Sequence, residues 1–130
     1  MLRSTVVVLS LLYFGTHAAS AATWVKLFDD PERTRYVDAD SIRSEGSLVK
    51  IWQLTDYRKN PDGDPYLSTK HLAEFDCKGM RVRNLHLVAY SGNMGRGSVH
   101  INHSLAADWG PLVPGSTDEA IARHVVCKLR

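Results

Sequence analysis

Cysteine is scarce in this chain of 130 residues, with only Cys77 and Cys127. No C-x-x-C pair occurs, which excludes a thioredoxin-like redox centre. A G-x-S-x-G elbow and a P-loop are also absent, so the usual backbone cradles for acyl and phosphoryl chemistry are missing. Gly92-Asn93-Met94-Gly95-Arg96-Gly97 is rich in glycine but joins two strand-like segments instead of opening a helix, and is expected to be a mobile hairpin loop. An excess of one charge is lacking too: 16 basic residues stand against 14 acidic ones. That balance argues against a nucleic-acid binder that tracks phosphates. Past about residue 15 no apolar run is long enough to cross a bilayer.

What is present begins with a leader pattern. Arg3 is followed by an apolar stretch from Thr5 to Phe14, and Ala19-Ser20-Ala21 supplies the small-x-small site of a signal peptidase. Residues 1–21 therefore read as a signal peptide cleaved between Ala21 and Ala22, leaving one domain over 22–130 and an extracytoplasmic protein, periplasmic or secreted. The residue directly after the cleavage point is Ala22 and not a cysteine, so no lipid anchor is expected. In an oxidising compartment the two cysteines are expected to pair, Cys77 with Cys127.

Six segments read as strands, about 24–28, 35–38, 47–57, 66–76, 80–90 and 98–104, bounded by turn residues such as Asp62-Gly63, Lys78-Gly79 and Ser91-Gly92. The turn at 60–65 sets Tyr57 opposite Tyr66, and Lys78-Gly79 sets Cys77 opposite Met80. These registers place Asp76 across from Arg81, Glu74 from Arg83, Leu72 from Leu85 and His71 from His86. One face then collects Leu48, Trp52, Leu54, Leu67, Ala73, Phe75, Val82, Val88 and Tyr90 as the core side, with Cys77 pointing towards it. Ser116-Thr117-Asp118-Glu119 is a capping box that opens a helix from 117 to about 126, whose Ile121, Ala122, Val125 and Val126 form one apolar arc. Cys127 falls off that arc, so the helix is expected to end near Val126. The fold class is α+β: a single antiparallel sheet of about six strands, one C-terminal helix packed on one face, and one disulfide.

The second sheet face carries Val49, Ile51, Leu72, Leu85 and Leu87 among Lys70, Glu74, Arg81 and Arg83, a mixture too apolar for full solvation. Strand 24–28, the 105–113 loop, a second copy of the chain or a partner protein would cover it. Lys70, Leu72, Glu74, Arg81, Arg83 and Leu85 are the candidate partner or dimer face. His71 and His86, opposite each other beside Trp52, offer an alternative as two ligands of a small periplasmic metal protein or enzyme, although no third ligand is evident. Asp38-Ala39-Asp40-Ser41 reads as a strand end and capped turn rather than a cation loop. No catalytic constellation and no cofactor motif emerges, so a non-enzymatic module is expected.

Trp24, Tyr36-Val37-Asp38, Trp52, Asp56-Tyr57, Ser68-Thr69-Lys70, Glu74-Phe75-Asp76-Cys77, Arg81-Val82-Arg83, Tyr90, Met94-Gly95, Trp109, Pro114-Gly115-Ser116 and Cys127 form an ordered set. The set resembles the surface-adhesin protein E-like family of exported bacterial proteins. The resemblance implies a sheet of about six strands with one helix tied by the cysteine bridge, a tendency to dimerise and a Gram-negative source. For the namesake it implies attachment to host matrix and serum proteins such as laminin and vitronectin. The namesake is an outer-membrane lipoprotein, and this chain departs from it in lacking the lipid-bearing cysteine.

Overall fold

The structure is a computed structural model that describes residues 22–105 and 107–128; the expected leader and the Ala21 side of its cleavage point lie outside these. Six antiparallel strands run in the order β1 (Trp24–Asp29), β2 (Arg33–Asp38), β4 (Leu48–Tyr57), β5 (Ser68–Asp76), β6 (Arg81–Tyr90) and β7 (Val99–Ser104). Two short strands add to the expected six: β3 (Arg43–Glu45) pairs with β4, and β8 (Gly110–Pro111) pairs with β6. Both are too short to show alternation in the sequence.

The β4–β5 register differs from the expected one by a single residue. Tyr57 N donates to Leu67 O at 2.8 Å, and Leu48 through Asp56 pair with Asp76 through Ser68. A tight turn at Pro61–Gly63, with Asp62 and Gly63 both left-handed, takes up the extra residue, while the rings of Tyr57 and Tyr66 still meet edge-on at 6.0 Å. The β5–β6 turn behaves as expected, because Asp76 accepts from the amides of Lys78 and Gly79 and then faces Arg81. A Cβ at Gly79 would come within 2.6 Å of the Asp76 carboxylate, so the turn requires glycine there. Further along, a β-bulge intervenes: Ala73 pairs with Asn84 but Leu72 pairs with His86, leaving Leu85 as the unpaired extra residue.

These two one-residue offsets redistribute the faces. Val37, Ile51, Ala73 and Phe75 lie under the helix and form the core with Ile121 and Ala122; Val82, Leu112 and Cys127 pack against it. Ala73, Phe75 and Val82 are thus on the core side as expected. Leu48, Trp52, Leu54, Val88 and Tyr90 are on the opposite face, and Val49, Ile51 and Leu87, expected opposite the core, are on the helix side. Each large side chain buried here, Phe75 and Ile51 among them, stabilises the fold by about 1.5–3 kcal/mol.

Helix α1 (Thr117–Ile121) begins at Ser116, whose Oγ accepts from Glu119 N at 3.2 Å. Glu119 completes the cap one residue earlier than a standard box, accepting from Gly115 N at 2.9 Å. A single wide turn over Ala122–Val126 follows, closed by Cys127 N donating to Ala122 O at 2.9 Å. Each residue advances less around the axis in such a turn, and this returns Cys127 to the sheet side. The Cys77–Cys127 disulfide then forms with Cα atoms 5.5 Å apart.

Candidate functional site

The face of the sheet away from α1 has no helix over it among the described residues. Strand alternation places Trp24, opposite Asp38, and Trp52, opposite Leu72, on this face, and Trp109 joins them from the segment before β8. All three tryptophans of the chain therefore gather on one surface, each half-buried. Cations lie over the rings of Trp24, Tyr90 and Trp109. The guanidinium carbons of Arg81 and Arg83 stand 4.6 and 4.3 Å from the Trp109 centroid, and Lys70 Nζ stands 5.5 Å from Trp24 and 5.2 Å from Tyr90.

Beneath Trp109 the charges are paired. Arg83 Nε and Nη2 both donate to Glu74 Oε1, at 2.8 and 2.6 Å, and Lys50 approaches the other Glu74 oxygen at 3.9 Å. Glu74 is only 4% exposed, so this pairing offsets the cost of burying its charge. Arg81 Nε donates to Asp76 at 2.9 Å. The Gly79 amide, and next to it Arg81, hold the Asp76 carboxyl below the usual carboxylate range.

Of the expected partner face, Lys70, Leu72, Glu74, Arg81 and Arg83 share this surface, whereas Leu85 sits in the bulge. The 105–113 loop covers part of it as anticipated: Leu105 N donates to Leu85 O, Trp109 caps the two arginines, and Leu112 turns into the core. The 92–97 loop, expected to be mobile, is instead tied down. Met94 N donates to Asp56 Oδ1 at 2.7 Å and Gly95 N to Ser68 Oγ at 2.8 Å. Asp38 caps its turn as expected, accepting from Asp40 N. Alternation in the sequence did not reveal that Trp24 and Tyr90 share Lys70 or that Trp109 lies over Arg81 and Arg83, because each meeting joins non-adjacent segments.

The His71–His86 pair is not assembled. His71 pairs with Leu87 and lies on the helix side, while His86 pairs with Leu72 on the open face, edge-on to Trp52 at 6.0 Å. The bulge at Leu85 separates them, so the two imidazoles cannot ligate one ion. No group of three His, Cys, Asp or Glu side chains that could hold a metal occurs among the described residues. Burial pushes the His71 pKa down to about 4, with Arg35 acting in the same sense and Asp118 against it. A separate apolar groove, about 240 Å³, runs between β1 and α1, where Leu27 and Phe28 are exposed beside Ala120 and Val125.

No curated protein matches the chain. Its fold is similar to that of the crystal form II structure of Haemophilus influenzae protein E, with a TM-score of 0.66 at 14% identity over 85% of this chain and 91% of that one. The family model described as surface-adhesin protein E matches residues 24–128, and the chain belongs to that family.

Proposed function

We propose that the protein is an exported, non-enzymatic binding module whose open sheet face receives a protein partner. Membership of a surface-adhesin family implies a protein partner and residence outside the cytoplasm. The observation that carries the choice of face is that all three tryptophans lie half-buried on the side away from α1, Trp109 over Arg81 and Arg83 and Trp24 beside Lys70. Tryptophan, tyrosine and arginine are the residues that dominate binding energy at protein interfaces, since they bury large areas and still offer donors. Cleavage between Ala21 and Ala22 belongs to the same reading, and N-terminal sequencing of the exported protein tests it.

The partners to try first are host matrix and serum proteins such as laminin and vitronectin, followed by envelope proteins. Immobilised partners should retain the oxidised protein, and Trp109→Ala and Arg81→Glu should each weaken retention by about tenfold or more. Unchanged retention in both, with thermal melting intact, removes this face from consideration. A second copy of the chain is the competing occupant of the same face, and sedimentation of the same two variants identifies it.

A further inference from the structure

Lys70 differs from the other cations of the open face. Lys26, Lys50, Arg81 and Arg83 each have a carboxylate within 4.0 Å, namely Asp29, Glu74, Asp76 and Glu74. Among the described residues Lys70 has none. Its ammonium stands instead between Trp24 and Tyr90, in a cavity of about 260 Å³ that Trp52, Val88 and Asp38 also line. Asp38 lines the same cavity, but its Oδ1 accepts from Asp40 N at 3.1 Å and it makes no ion pair with Lys70 within 4.0 Å. The lysine stem lies against that tethered turn, close enough that a Cβ at Gly95 would stand 2.5 Å from Lys70 Cε.

The rings attract the charge but offer the ammonium no lone pair in their faces, and three donors remain for a ligand or water. Glu74 and Asp76 are paired with Arg83 and Arg81, and Asp56 Oδ1 accepts from Met94 N; none of the three makes an ion pair with Lys70 within 4.0 Å. We infer that this cavity receives an acidic side chain from the protein partner, its carboxylate on Lys70 Nζ and its methylenes and neighbouring residue against Trp24, Trp52 and Tyr90. This inference rests on the open face being the partner surface. Specificity arises because an amide of the same shape leaves the positive charge without a counter-charge.

The test compares acetyl-Asp-Phe-Glu-amide with acetyl-Asn-Phe-Gln-amide at millimolar concentration, read by tryptophan fluorescence of the oxidised protein. The acidic peptide should bind at least about tenfold more tightly. Lys70→Met should abolish that preference and Lys70→Arg should keep it, both with unchanged melting. Equal binding of the two peptides, or a preference that survives Lys70→Met, overturns the inference, and the comparison on the unmodified protein decides even where a variant misfolds. If the acidic preference is missing while Trp109→Ala still weakens retention on immobilised partner, the cavity assignment fails and the binding face stands.

Discussion

Mild acid should destabilise this protein through one histidine. His71 titrates at about 4 in the folded chain against 6.5 when free, so the unfolded state takes up the proton first. Stability is therefore complete above about pH 7 and declines as the pH falls from 6.5 towards 4. With these two values, linkage gives a loss of about 2 kcal/mol between pH 7 and pH 5. The carboxylates held low in the fold, Asp30, Asp76 and Glu119, act in a lower window, since their contribution is present above their free values of 3.8, 3.8 and 4.5 and is lost as the pH falls through and below these. Urea titrations at pH 7 and pH 5 should show the midpoint falling by about 1 M. His71→Leu removes the titrating group, so the difference between the two pH values should shrink by about 2 kcal/mol relative to the unmodified protein, other histidines cancelling in the comparison. Equal pH dependence in the two proteins would refute the claim that burial of this imidazole controls the effect.

Replacing Cys77 and Cys127 together by serine opens a loop of sequence separation 50, for which chain entropy predicts a loss of about 4 kcal/mol, measurable by chemical denaturation. Phe75→Ala, at a fully buried position under the helix, should cost about 3–5 kcal/mol in the same assay. Glu74→Gln leaves Arg83 and Lys50 without their shared counter-charge and should cost about 1–3 kcal/mol, while Lys50→Gln, removing the longer and more exposed contact, should cost less than about 1 kcal/mol.

Turn chemistry made much of the fold legible. Lys78-Gly79 located one hairpin to the residue, and the pairings of Asp76 with Arg81 and Glu74 with Arg83 were readable because that turn has no slack. Ser116 and Glu119 marked the helix start for a similar local reason. The faces were not readable. Side chains alternate with a period of two, so one residue absorbed by the 58–66 loop and another by the bulge at Leu85 each invert the assignment of everything beyond them. The supposed histidine pair was lost in this way, as were the sides of Ile51 and Trp52. Lys70, Leu72, Glu74, Arg81 and Arg83 fall on one face because the first three share one strand and the arginines the next, across a turn whose register the sequence specifies. Trp109 over the arginines is a tertiary contact with no local signature.

The strand order has a kinetic consequence. Every long strand lies beside its predecessor in the chain, so the sheet can grow hairpin by hairpin as residues emerge N-terminus first, without waiting for distant segments. The segments after β7 arrive late and must reach back: β8 to β6, α1 to Phe75 and Cys127 to Cys77. With two cysteines in the chain, each thiol has one intramolecular partner, so oxidation within one chain has no wrong bridge to undo.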